Sequence, residues 1–163
     1  MPEYSQERLQ PCLFDRLTDE NPEAMQDTRS TRVISVQRYR DGVLRDLRWL
    51  LNAKSHLELG ETQEFGEVQR SVLNYGMRDL AGQLSSDLDP GEIEHQIKQA
   101  ILDFEPRILP NSLMVRFLSE SVKESHNPNI IAIEISGDLW ASPLPEQLYL
   151  QTQIDLDTGQ CLL

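Results

Sequence analysis

The chain has 163 residues, 39% of them hydrophobic and 26% charged, which suits one soluble globular domain with a real core. Its 15 basic and 27 acidic residues leave a formal net charge of -12, which repels nucleic acid and anionic membrane at long range and favours partners with basic patches. No apolar run approaches the roughly 20 residues of a bilayer span, and the opening MPEYSQERLQ lacks the basic patch and apolar stretch of a secretory signal, so a cytoplasmic chain without membrane insertion is expected.

Residues 1–32 read as an N-terminal extension. Within it, LFDRL at 13–17 puts Leu13, Phe14 and Leu17 on one face of a short helix, to dock either on the domain's own core or on a partner. The polar run TDENPEAMQDTRSTR that follows has no apolar period and reads as a loop. The domain proper, 33–163, opens with SVQRYRDGVLRDLRWLLNA at 35–53, the strongest helical pattern in the chain. Val36, Tyr39, Val43, Leu44, Leu47, Leu50 and Leu51 share one face, and Ser35 can cap the start. The other face carries Arg38, Arg40, Arg45 and Arg48 against Asp41 and Asp46. It reads either as a solvated face with Asp41–Arg45 support at i,i+4 or as a docking surface, centred on Arg38 and Arg45, for an acidic partner.

Residues 54–78 look loop-like, with SVLNYGM at 71–77 a short apolar piece stopped at Gly76, where a positive φ is expected. A short helix is predicted from Asp79 to about Leu84. A better-punctuated one spans DPGEIEHQIKQAILDFE at 89–105. Asp89 is its cap, Pro90 its first residue, Glu92 completes a capping box, and Ile93, Ile97, Ala100, Ile101 and Phe104 form its buried stripe. Pro106 turns Glu105 away from helical angles and ends it.

Beyond Arg107 the period changes to two. SLMVRFLSES (112–121), NIIAIEIS (129–136) and QLYLQTQIDLD (147–157) are strand runs, and QCLL returns after the turn DTG as a last short strand. In the third run Leu148, Leu150, Thr152, Ile154 and Leu156 face the core while Tyr149, Gln151, Gln153 and Asp155 face out. Pro143 and Pro145 break the connection before it. Helices first and strands last, each group contiguous, argue for an α+β fold: N-terminal helices packed on a C-terminal antiparallel sheet of three to four strands.

Chemistry is scarce. Cys12 and Cys161 lie near opposite ends and form no CxxC, and with three scattered histidines they make no zinc pattern. Two reduced thiols suit the cytoplasm, a disulfide tying the termini being the alternative. Glu92 and His95 in EIEH have the spacing of a di-iron helix but occur once. His56 and His126 sit in polar loops without an evident partner. No phosphate loop or GxSxG is present. Aromatics at 6% argue against the sugar-binding cleft of a glycoside hydrolase. No catalytic residue, cofactor or metal is expected.

Four features in order, LFDRL, the Arg-rich helix, SVLNYGMRDL at 71–80 and a helix ending in FEPRI, resemble TssE, the family of baseplate wedge subunits of bacterial type VI secretion systems. That family is similar to the small wedge protein of contractile phage tail baseplates, marked by Glu-Pro-Arg. The resemblance covers about 12–163, with LNYG and FEPR its most specific parts; Met77-Arg78 stands where the family often has Leu-Pro. Some descriptions call the family lysozyme-like, but the residues here do not support hydrolysis. The resemblance implies a non-enzymatic subunit that joins TssF, TssG and TssK at the inner face of the cell envelope and starts polymerisation of the TssB/TssC sheath, with the tube protein Hcp and spike VgrG as neighbours. It places Glu105, Pro106 and Arg107 at a contact with the wedge's helical core. The residues alone allow Glu105 and Arg107 an internal role, binding free backbone groups at the helix end. The outer face of the strand at 148–156, bearing Tyr149, Gln151 and Gln153, or its neighbour, is expected to offer an edge to sheath strands. A regulatory anti-adaptor-like module on the same fold is the alternative.

Overall fold

The computed structural model describes residues 9, 11–18, 23, 34–55, 65–85, 87–118, 129–142 and 144–162. In chain order these form α1 (Leu13–Leu17), α2 (Val36–Asn52), the single-turn α3 (Gly66–Gln69), a 3-10 turn (Val72–Asn74), α4 (Pro90–Phe104), and strands β1 (Met114–Phe117), β2 (Ile130–Leu139), β3 (Glu146–Asp155) and β4 (Gln160–Leu162). The strands make one antiparallel sheet in the order β1-β2-β3-β4. The α+β architecture is therefore as expected: helices lead, and the sheet closes the chain.

The two long helices form because their apolar residues recur at helical spacing and their starts are capped. The Ser35 hydroxyl accepts from the Arg38 N–H at 3.2 Å, and Asp89 accepts from the Gly91 N–H at 2.9 Å, with Pro90 in the first turn. Glu92 does not complete the capping box. Its carboxylate lies on the exposed face, where it takes a hydrogen bond from Gln96 at 2.9 Å and meets Arg78 at 3.5 Å. The buried faces of α2 and α4 meet each other, with α4 against β1 and α2 against β4. Val43, Leu47, Leu50, Ile97 and Ile101 close on Ile131, Ile133, Ile135, Leu148 and Ile154 of the sheet. Thr152, buried among them, is satisfied by donating to the Leu162 carbonyl at 3.0 Å.

Several predicted elements differ from the structure. No helix follows Asp79. Its carboxylate accepts from the Ala81 N–H at 2.9 Å and from Lys54 at 2.6 Å, and Gly82, at φ 78°, donates to the Leu156 carbonyl at 2.8 Å. That local turn outcompetes a helix, as Asp side chains often do. The loop-like stretch 54–78 contains α3 and the 3-10 turn. β1 covers only 114–117 of its predicted run, and 119–121 lie outside the described residues. β2 runs on to Leu139 because β3 pairs with it over its full length, from Ile130 opposite Asp155 to Leu139 opposite Glu146. Both cysteines are free thiols, so the alternative of a disulfide is not realised. His56, His126 and most of the polar run at 18–32 lie outside the described residues.

The neighbour of β3, β4, forms one edge of the sheet. β3 is an inner strand where β4 covers it, from Gln153 to Asp155, and has no strand on that side from Glu146 to Gln151 among the described residues. β4 is blunted by a side chain: the Asn52 amide accepts from the Cys161 N–H at 2.9 Å and donates to the Cys161 carbonyl at 3.1 Å, as a neighbouring strand would.

At Gly76 the backbone leaves no room for a side chain. It has φ 121°, and an added Cβ would fall 2.4 Å from the Ala53 carbonyl oxygen, in the short parallel bridge that joins Lys54 to Met77. Gly76→Ala should cost at least about 2 kcal/mol, read as a fall in Tm of roughly 4–8 °C by circular dichroism; an unchanged Tm would contradict this account of the turn.

Candidate interaction site

The site is built where α4 stops. Pro106 has no N–H to continue the helix, so the Glu105 N–H closes the last turn on Ile101 at 2.8 Å and the Ile108 N–H returns to the Glu105 carbonyl at 3.2 Å. This tight turn brings Arg107 back onto Glu105. The Glu105 carboxylate, 4% exposed, accepts from Arg107 Nε at 2.6 Å, Nη2 at 2.5 Å and the Arg107 backbone N–H at 3.2 Å. The same Nη2 reaches Asp46 on α2 at 2.6 Å. Asp46 in turn accepts from Arg45 Nε at 2.9 Å, and Arg45 Nη1 pairs with Asp15 on α1. Five alternating charges, Glu105, Arg107, Asp46, Arg45 and Asp15, thus tie together α4's end, α2 and α1.

Gly42 lies against this chain of charges. On α2 a Cβ at this position would sit 3.4 Å from Asp15 Oδ2 and 3.9 Å from Arg107 Nη1. The strand side is fastened to the same turn. The Trp140 N–H donates to the Arg107 carbonyl at 2.7 Å, the Leu109 N–H to Asp138 at 2.8 Å, and the Tyr39 hydroxyl to the Trp140 carbonyl at 3.0 Å. Trp140 itself remains 60% exposed on this fixed backbone.

Burial opposes the charge on Arg107, but its hydrogen bonds to Glu105 and Asp46, with the charges on those carboxylates, more than offset it, so the guanidinium is held more firmly protonated than a free arginine. On Arg45 the hydrogen bond to Asp15 is the largest influence and has the same result against a smaller cost of burial. Burial pushes the Asp15 carboxyl up; its bonds to Arg45 and Cys12 win, and it lies below the usual value of 3.8. Burial raises the Tyr39 phenol. The Glu105 carboxylate is buried and turned inward to Arg107 rather than toward a second molecule.

Of the residues expected to act, the structure brings together Glu105, Arg107 and Arg45. Pro106 is exposed beside them. Arg45 does not pair with Asp41, which instead accepts from Gln37 at 2.9 Å; Arg45 leans to Asp46 and across to α1. Arg38 is exposed on α2 and, with Asp41 and Gly42, walls a cleft of about 290 Å³ closed on the other side by Phe14, Asp15 and Thr18. Tyr149, Gln151 and Gln153 are elsewhere, on the outer sheet face. The Tyr149 hydroxyl donates to Glu134 at 2.9 Å and accepts from Gln151 at 2.7 Å, while Gln153 borders a shallow hollow with Leu118, Ala132 and Leu162. Sequence reasoning missed Asp15, Gly42 and Tyr39 as members of the site. Gly42 carried a signal, since a glycine inside a 17-residue helix is costly without a reason.

The N-terminal helix also departs from one expectation. None of its five residues is buried, so it does not dock on the core. Phe14 instead meets Trp49 edge-on at 5.2 Å, and Arg45 stacks over Phe14 at 4.9 Å and over Trp49 at 5.0 Å.

Compared with known proteins, residues 37–144 match the family described as baseplate wedge protein gp25. No curated protein and no solved structure matches the chain. Among the described residues, no helix is long and apolar enough to cross a membrane.

Two outcomes follow from the charge chain. Arg107→Ala leaves the buried Glu105 carboxylate without a cation, while Asp46 keeps Arg45, and should cost about 3–5 kcal/mol, whereas Glu105→Gln, which keeps hydrogen bonding, should cost less; equal and small losses in urea denaturation would contradict the geometry. Asp15 is depressed in the docked state, so its contribution to holding α1 is complete at pH values above its ordinary 3.8 and is lost as the pH falls through the depressed value. Trp49 emission, followed in a Trp140→Phe background, should be flat at neutral pH and change only below the ordinary value. Asp15→Asn should show the changed signal already at pH 7 and no acid step.

Proposed function

We propose, because this chain belongs to the baseplate wedge protein gp25 family, that it is a structural subunit of the baseplate wedge of a type VI secretion system, the role of TssE. The match over residues 37–144 carries this reading, since that span contains α2, the Glu105–Arg107 turn and the Trp140 backbone it fixes. In this role the chain acts without catalysis in the bacterial cytoplasm, at the inner face of the envelope. It joins TssF, TssG and TssK and provides the first surface on which TssB/TssC sheath subunits assemble, near Hcp and VgrG.

The geometry supports particular routes for these contacts. Glu105 and Arg107 are satisfied within the chain, so their part in wedge binding is to hold a surface rather than to touch the partner with both charges. That surface includes Pro106 and the exposed Trp140, an aromatic anchor on an already ordered backbone, which is the type of residue that dominates interface energies. For the sheath, the stretch of β3 from Glu146 to Gln151, without a strand on one side, supports strand addition. A proline at 153 is a poor probe of this. Gln153 lies between Ala132 of β2 and Leu162 of β4, so its loss of an N–H breaks the chain's own ladder on whichever side that group points.

Cells lacking the chain should make the sheath proteins but build no sheaths, and a tagged chain should co-purify with TssF and TssG. Sheaths forming at normal frequency without it would overturn the reading. Trp140→Ala should keep the Tm within a few degrees while reducing recovery of TssF–TssG about tenfold or more; full recovery would move the wedge contact away from Trp140.

A further inference from the structure

We propose that the Gly42–Arg45–Trp49 face of α2 is a receptor site for an aromatic residue followed by a carboxylate, filled in this structure by the chain's own Phe14–Asp15 and open to exchange with a partner segment of the same chemistry. The manner in which α1 is held supports this. It buries no residue, and Leu13 and Leu17 are 69% and 75% exposed, so no apolar core retains it. Its hold consists of one aromatic contact, one cation over two rings and one ion pair. That is how a short peptide is bound on a surface, not how a helix is packed into a fold.

The receptor half does not need α1 to take shape. Arg45 is held by Asp46, which is held by Arg107, and Arg107 is held by Glu105. A ligand arriving here meets a guanidinium already aimed, so little ordering is left to the moment of binding. The carboxylate settles over Gly42, where even a Cβ would stand at ordinary contact distance, 3.4 Å from Asp15 Oδ2. Leu9 and Ile34 are bridged without α1: the Ile34 N–H donates to the Leu9 carbonyl at 3.1 Å, and Leu9 is buried. Because α1 itself buries no residue, its release does not uncover the core.

The consequence is competition. A tethered occupant acts at an effective concentration of about a millimolar, so a partner segment displaces it only when it brings further contacts of its own. The displaced Leu13, Phe14 and Leu17 are then released as an amphipathic turn. This inference stands on α1, α2 and the Glu105–Arg107 turn and does not depend on the baseplate reading.

The test empties the site and refills it in trans. Phe14→Ala/Asp15→Ala is made in a Trp140→Phe background, its fold is checked by circular dichroism, and a synthetic peptide of residues 11–18 with Cys12→Ser is titrated while Trp49 emission is recorded. Saturable binding is expected, with half-saturation about 0.1 mM, a tenth of the effective concentration of the tethered segment. A peptide with Asp15→Asn should bind about tenfold more weakly, and so should the original peptide to a chain whose own Phe14 and Asp15 are intact. Adding Arg45→Gln to the emptied chain should abolish the response. No saturable change in the folded, emptied chain, or equal binding of the two peptides, overturns the proposal. If the emptied chain does not fold, Asp15→Asn alone replaces it. Peptide binding to that single variant no tighter than to the intact chain overturns the proposal equally.

Discussion

The structure depends on a guanidinium placed below the protein surface. Arg107 is largely buried, and a charge there is tolerated only because Glu105 and Asp46 meet it from two sides with geometry a free chain would rarely find. Each of those partners comes from a different helix. The end of α4 must therefore stop at Pro106, α2 must present Asp46 at that level, and the two helices must cross at one relative placement. Once Arg107 is fixed, its carbonyl takes the N–H of Trp140 and so aligns the end of β2. A single buried cation thereby sets helix against helix and helices against sheet. Its value lies less in net stability than in penalising any other arrangement, all of which leave a buried charge without a partner.

Much of the architecture was legible because period and punctuation agreed. The stripe from Tyr39 to Leu51, the Asp89–Pro90 start and the alternation from Leu148 to Ile154 each describe an element that the structure contains. What failed were places where a short polar side chain had a choice. Asp79 could begin a helix or fold back on Ala81, and Glu92 could reach the helix start or turn to Gln96. In both, a partner from outside the local window, Lys54 and Arg78, lies on the side that won. No reading of neighbouring residues includes such partners. The candidate site was half legible for the same reason. Glu105 and Arg107 stand out beside a proline, but Asp46, 61 residues away, and Asp15, 30 residues from Arg45, look like ordinary surface acids until the helices are set side by side.

The molecule also separates what is rigid from what is offered. Rigid are the turn at Arg107, the α2–α4 contact and the long β2–β3 pair. Offered are Trp140, the unpaired part of β3 and the outward leucines of α1, each mounted on a backbone that the rigid part holds. Membership of a baseplate wedge family fits that division. A component of a large assembly needs several surfaces at set angles, and it needs those angles to survive when any one surface is engaged.

Asn52 adds a consequence in time rather than in space. Its amide completes the backbone of Cys161, 109 residues further along the chain. During synthesis α2 therefore emerges without these Asn52 partners until β4 has been made, although α4 meets its apolar stripe earlier. Contacts of such long separation are slow to close, and an uncovered stripe is prone to wrong partners meanwhile. A stall that withholds β4 leaves the end of the first long helix without those contacts.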